Sequence, residues 1–405
     1  MRIGIFGNTN NYPLQLALAL RALGHEAMLV VNRREPLHRP ESRFPELARR
    51  YPDWILDCAD IPEEEFLVGG LRLHGVLNFL AGGSGGLVLN DLGPSLLQFC
   101  PLPAVAFMTG SDLTGYANPD LLRTRTADWS EDYAASPGGQ LVQRRLREFV
   151  DRQRRGVRTA RAVSAPPRGV VPVMDTILDG LGVPDTRREF FYFADPILRP
   201  VPPAAGRRGL RVVNAARLNW VRPMPPGFCT QDHKGTDVLL HGAAAHVAAG
   251  RRLTLVLFRK GLHVAETEAL VRELGLAPHV EWQDEVGLHA FHRALAEADV
   301  VCDQFGESFP GMSTLDALAM GRPVVASVHP RIQQGLFAEP WPVRHAATPT
   351  EVAAHLAALA DPEARARAGA ASAAFASRHL SPLRAAQVCL GYFDAAHAAR
   401  VTGAA

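Results

Sequence analysis

The stretch VVCDQFGESFPGMSTLDALAMGRPVV (300–325) opens like a buried strand and passes through a loop bearing glycine and proline. It continues as a short helix closed by Gly321 and ends on a second buried strand, which is the signature of a parallel βαβ unit. Two carboxylates, Glu307 and Asp316, flank the start of that helix. Unpaired amides and the positive end of the macrodipole attract anions there. Two readings follow. Asp316 complements the dipole; or the amides near Gly311, Met312 and Ser313 face a phosphate, and Asp316, one turn in and opposite Leu315 and Leu318, accepts hydrogen bonds from a ribose.

The same texture extends outward. After residue 209 apolar runs recur at LRVVN (210–214), LTLVLF (253–258), HVEW (279–282), ADVVCD (298–303) and PVVAS (323–327). Helical patterns fall between them at 236–249, 264–274, 288–297 and 312–320. The first half reads the same way, with strands at RIGIF (2–6), AMLVV (27–31), GVLNFL (75–80), PAVAF (103–107), RAVS (161–164) and EFFYF (189–193), and a helix over 12–24. Continuous apolar strands alternating with helices specify parallel sheets covered on both faces. The proline- and glycine-rich RPVPPAAGRRG (199–209) reads as a linker. The expectation is an α/β chain of two doubly wound domains, 1–200 and 210–383, with ligand bound in a cleft beyond the carboxyl ends of the strands.

With 47% hydrophobic and 21% charged residues and a net charge of +2, the composition gives no reason to expect a nucleic-acid partner. Five cysteines without CxxC spacing argue against a disulfide framework or zinc knuckle and for a cytoplasmic protein. The start, MRIGIF, runs directly into a strand and reads as no signal peptide, and no apolar run is long enough to span a membrane.

In ARLNWVRPMPPGFCTQDHKGTDVLL (216–240), Arg217 follows a strand and Lys234 stands before Gly235 and a helix. A planar fork and a point charge at those places suit a diphosphate, and equally describe two surface charges. Together with ADVVCDQF, LDALAMGRPVVAS and GLAPHVEWQDEVGLHAFHRALAEADVV (275–301), this segment resembles the retaining GT-B glycosyltransferases of the large family four, the glycosyl transferases group 1 type. The resemblance covers most of 210–380 well and the first half loosely. It implies a GT-B fold, two Rossmann-like domains facing a central cleft, with the last helix (384–405) completing the N-terminal acceptor-side domain. It implies transfer of a sugar from a nucleotide-diphosphate sugar, the co-substrate, to an acceptor hydroxyl with retention, with no covalent nucleophile, metal or other cofactor. The leaving diphosphate would assist deprotonation of the acceptor on the same face. Arg217 and Lys234 map to the basic pair that holds the diphosphate, and Asp316, one methylene shorter, to the glutamate that binds ribose. The family's first glutamate, at the donor sugar, falls on Ser308, with Glu307 one residue off register and assigned the catalytic place. Ser308, Phe309, Pro310, Gly311, Met312 and Ser313 complete the donor set.

On the acceptor side stand Asn8, Asn10 and Asn11 of GNTNN (7–11), and Thr109 and Asp112 of FMTGSDLTG (107–115), where the family often reads His-Gly-Ser-Asp. Asparagine in a turn and aspartate at a helix start also have purely structural uses. The acceptor is a saccharide, a lipid-linked molecule or a small molecule. The segment 141–161 carries eight arginines against two acids. It reads as a solvated helix face or as a peripheral contact with anionic lipid.

Two competing functions remain. AGGSGG (81–86) matches the G-x-S-x-G elbow, which would make Ser84 the nucleophile of a hydrolase. A catalytically degenerate GT-B binding protein is the other. HAFH (289–292) reads as a surface pair rather than a metal site.

Overall fold

The computed structural model describes residues 1–401 apart from 63–64, 67–69, 120–125, 127, 203–206, 226–227, 229 and 307–308. The chain divides into two compact units. One is Met1–Tyr192 with the closing helix Pro382–Val401; the other is Phe193–Ser381.

Unit 1 is built on strands β1 (Arg2–Phe6), β2 (Glu26–Val31), β3 (Ile55–Asp57), β4 (Gly86–Leu89), β5 (Ala104–Ala106), β6 (Ala162–Ser164) and β7 (Arg188–Glu189). They form one parallel sheet in the order β3-β2-β1-β4-β5-β6-β7. The apolar runs of β1, β2 and β4 are buried almost end to end, as strands covered on both faces must be. The helix Tyr12–Ala22 buries Leu14, Leu16 and Leu20. The closing helix packs on the same unit. Phe393 is fully buried over Gly86, where a Cβ would fall 2.4 Å from its ring, and the Tyr392 hydroxyl donates to Glu189.

Unit 2 carries β8 (Leu210–Asn214), β9 (Leu253–Phe258), β10 (Val280–Gln283), β11 (Val300–Cys302), β12 (Val324–Ala326) and β13 (Val343–His345). These are all parallel, in the order β10-β9-β8-β11-β12-β13. Leu210, Val212, Leu239, Leu255, Val300 and Val352 belong to its core. Strand order reverses between β8 and β11, the point where such sheets leave a crevice at their carboxyl ends. Asn214 lies opposite Cys302 in the register, so the loops leaving the two strands begin at the same height.

Some expectations shift. GVLNFL (75–80) belongs to the helix Leu71–Ala81, which buries Leu73, Val76 and Leu80, and the strand follows it as β4. A short apolar run does not by itself separate strand from helix. EFFYF gives only Glu189 to β7. The division between the units falls at Tyr192 and Phe193 rather than within 199–209. The Val201 amide donates to Met320 O at 3.1 Å, and Arg322 donates to the carbonyls of Val201 and Pro202 at 3.0 and 3.2 Å, which ties that proline-rich start to unit 2.

Candidate functional site

The switch point of unit 2 gathers the loop after β8, the Lys234–Gly235 turn, the loop after β11 and the start of the helix Met312–Ala319. Gly235 has φ +64°, and a Cβ there would lie 2.6 Å from the carbonyl carbon of Phe305. Glycine is therefore demanded twice, by its left-handed backbone and by the close approach. The Lys234 carbonyl accepts from the amides of Phe305 at 2.7 Å and Gly306 at 3.1 Å, while its own amide donates to Asn219 O at 2.5 Å. Lys234 is thus fixed by its main chain to both loops, independently of what its ammonium does. Arg217, on the loop after β8, is exposed and makes no side-chain hydrogen bond or ion pair among the described residues.

Asp303, directly after β11, carries no role in the sequence reading beyond an Asp303-Gln304 strand end similar to that of a subset of the family, yet it organises this corner. Its Oδ2 accepts from the Gly311 amide and from Thr314 Oγ1, both at 2.7 Å, so a strand-end carboxylate caps the helix. Burial raises its pKa above the ordinary carboxylate value, against the Thr314 and Gly311 hydrogen bonds and the nearby Lys234 charge. The expectation for Gly311 changes accordingly: its amide serves the fold's own acid, Asp303, rather than an outside anion.

Asp316 lies within the same helix and is only 8% exposed. Its Oδ2 meets His292 Nε2 at 3.0 Å and its Oδ1 takes the Asp195 amide at 3.4 Å. His292, expected at the surface with His289, is instead buried against this carboxylate. Phe309 is half-buried and Pro310 buried. Glu307 and Ser308, the catalytic and first donor-site candidates, lie outside the described residues.

The asparagines of unit 1 bind their own chain. Asn8 is fully buried; its amide donates to Asn11 Oδ1 at 2.7 Å and His38 O at 2.9 Å, and its Oδ1 accepts from the Leu14 amide. Asn11 donates to the carbonyls of Leu37 and Arg39 and to Ser42. Asn10, with φ +54°, donates its main-chain N–H to His38 Nδ1. Asn90, unmarked by any sequence signal, ties the loops together. It accepts from the Thr9 amide at 3.0 Å and donates to Phe107 O at 2.8 Å and Asp112 Oδ2 at 2.9 Å.

Asp112 is sealed beneath Thr109 and Gly110, whose amides it accepts at 2.8 Å each. Burial pushes it up to about 6, opposed by the Thr109 and Gly110 hydrogen bonds and reinforced by Asp91. Thr109 and Asn10 keep half-exposed surfaces, whereas Asn8, Asn11 and Asp112 turn inward. The raised value means the native state favours the protonated acid. Its contribution to stability is full below the ordinary value of 3.8 and is lost as pH rises through about 6. Asp112→Asn is expected to remove a slope on the order of 3 kcal/mol. The variant's Tm should therefore gain on the parent's between about pH 4 and pH 7. Parallel pH profiles would contradict a buried carboxylate here.

Ser84 is no nucleophile elbow. It is buried, donates to Leu80 O at 2.8 Å and stands in a helix-to-strand turn, the reverse of the strand-to-helix turn that exposes a catalytic serine. A fluorophosphonate probe is expected to leave it unlabelled; labelling lost on Ser84→Ala would reopen a hydrolase. Among the described residues, no group of three or more His, Cys, Asp or Glu side chains is placed to hold a metal ion, and no helix is long and apolar enough to cross a membrane.

The fold is shared with known proteins. The whole chain takes the fold of the GT-B enzymes. The crystal structure of Anabaena HepE in complex with UDP and glucose matches with a TM-score of 0.59 at 15% identity, over 98% of this chain and 100% of that one. Sucrose-phosphate synthase from Thermosynechococcus elongatus matches at 0.56 and 14%, over 98% and 100%. WaaG, a glycosyltransferase involved in lipopolysaccharide biosynthesis, matches at 0.53 and 13%, over 96% and 100%. Residues 227–361 match the family model described as Glycosyl transferases group 1. No curated protein sequence matches the chain significantly. The chain thus has the GT-B fold and, over residues 227–361, a likeness to the group 1 glycosyl transferases.

Proposed function

We propose that the protein transfers a sugar from a nucleoside-diphosphate sugar to an acceptor hydroxyl with retention of anomeric configuration. The observation that carries this reading is the lock between Lys234–Gly235 and Phe305–Gly306 at the β8/β11 switch point, which holds the loops bearing the candidate cation and the candidate donor residues together. Arg217 and Lys234 hold the diphosphate, with the positive end of the helix that begins at Met312 toward the same charge. As the donor bond breaks, about one further negative charge develops on the diphosphate, and these preorganised groups meet it without reorganisation. No divalent metal is required in this scheme. Glu307 and residues 308–310 address the donor sugar. The leaving diphosphate takes the acceptor's proton on the same face. Thr109 and Asn10 are the acceptor-side groups with surface to offer.

Asp316 takes the ribose hydroxyls through the lone pairs that His292 and Asp195 leave unused. Asp316→Asn retains an acceptor for His292 and is expected to fold. It should bind a nucleoside diphosphate less tightly and discriminate less against the 2′- and 3′-deoxy forms. Unchanged discrimination would leave Asp316 as a structural partner of His292 alone.

HepE is described with UDP and with UDP-glucose, so uridine diphosphate sugars are the first donors to try, followed by GDP- and TDP-sugars. Thermal shift against that panel tests the reading: stabilisation by one nucleotide series supports it, and none by any series contradicts it. Peripheral contact with anionic lipid through 141–161 suits an acceptor carried on a lipid. Leu141 and Val142 stand exposed among the arginines of the helix Pro137–Thr159.

A further inference from the structure

We infer that a cavity at the amino-terminal edge of β5 and β6 binds a phosphate group carried on a short apolar body. The cavity has a volume of about 450 Å³ and is lined by Arg152, Arg155 and Arg161 on one side and by Leu97, Leu102 and Pro103 on the other. Pro103 leads into β5 and Arg161 into β6, and the Arg161 amide donates to Ala104 O at 2.6 Å. The cavity therefore sits at the end of the sheet opposite the loops that carry Asn8, Asn90 and Thr109, and it does not depend on the transferase reading.

Its chemistry is lopsided. Three guanidinium groups face it and, among the described residues, no carboxylate lines it, whereas the neighbouring cavity of Arg154, Arg155 and Arg158 includes Asp151. The side chains of Arg155 and Arg161 are exposed and make no hydrogen bond or ion pair among the described residues. Arg152 donates to Phe66 O at 3.1 Å and stands over the Phe99 ring at 5.9 Å. Burial lowers its pKa; Glu148 works the other way, and the like charges of Arg155 and Arg145 add to the lowering. Guanidinium forks match phosphate oxygens, and an apolar wall strengthens that attraction by excluding water. The volume falls within the range of small-molecule sites and exceeds what a bare phosphate fills, leaving the Leu97–Pro103 wall for the apolar part.

A membrane phospholipid and a soluble phosphate ester share this chemistry, and one set of binding measurements separates them. The full chain is titrated with dodecyl phosphate below its micelle concentration, with inorganic phosphate as competitor. It is also sedimented with phosphatidylcholine vesicles with and without phosphatidic acid. Saturable dodecyl phosphate binding is expected, weakened by about tenfold or more in the Arg155→Ala/Arg161→Ala variant. Binding should be unchanged in Arg251→Ala/Arg252→Ala, whose exposed arginines precede β9 in unit 2 and lie outside the cavity. Sedimentation that requires both phosphatidic acid and the Arg155/Arg161 pair identifies the lipid; dodecyl phosphate binding without sedimentation identifies a soluble ester. No binding, equal loss in the two double variants, or inorganic phosphate competing as well as dodecyl phosphate would overturn the assignment.

Discussion

Replacing Lys234 by alanine is expected to lower turnover by on the order of a hundredfold or more while leaving the fold intact. Both halves of that expectation rest on where the residue's interactions lie. Its structural work is done by the main chain: the carbonyl holds Phe305 and Gly306, and the amide holds to Asn219. Alanine keeps all three bonds, so unfolding should move little. The ammonium is proposed to meet the charge that grows on the diphosphate as the sugar departs. Removing one such preorganised group costs about 3 kcal/mol of transition-state stabilisation, by analogy with one oxyanion donor. Because the charge is greatest after cleavage begins, kcat should fall more than donor affinity. Equal loss of affinity and turnover would make Lys234 a ground-state anchor.

One residue along, the expectation inverts. Gly235→Ala should destabilise unit 2 strongly and lose donor binding only as a consequence. A side chain at φ +64° is strained, and its Cβ would sit 2.6 Å from Phe305 C and 2.7 Å from Gly306 N. Those atoms belong to backbone, which cannot rotate away. Left-handed strain and the displacement of the 305–306 loop together should cost on the order of 3 kcal/mol or more. Thermal unfolding of the two variants side by side checks the contrast: a clear fall in Tm for Gly235→Ala, and little for Lys234→Ala. A Gly235→Ala protein as stable as the parent would mean the two loops are not packed as described.

Most strands and helices of unit 2 are legible because their period or length is distinctive, from LTLVLF to the helix that opens at Thr236. GVLNFL was misread because six apolar residues fit a strand as well as part of a helix whose buried face is Leu73, Val76 and Leu80. β3 and β13 passed unnoticed because each is three residues long and carries a charged or polar end. Within the candidate site, Lys234 and Gly235 could be found, since a cation and a glycine before a helix have a local signature. Asp303 could not. Its capping role depends on β11 delivering a carboxylate to a helix start eight residues further on, which is a tertiary fact. Asn90 is a stronger case, since it joins three loops that meet only after the sheet has formed. The inward turn of Asn8, Asn11 and Asp112 belongs to the same class, because burial is decided by neighbours distant in sequence.

The most direct test of nucleotide-sugar transfer by unit 2's switch-point residues is release of nucleoside diphosphate from UDP-, GDP- and TDP-sugars. It should be followed in EDTA with the full chain and with its Lys234→Ala variant. Release from one nucleotide series by the parent, reduced by on the order of a hundredfold in the variant, is the expected result. No release from any of the three, or equal release by both proteins, would contradict it.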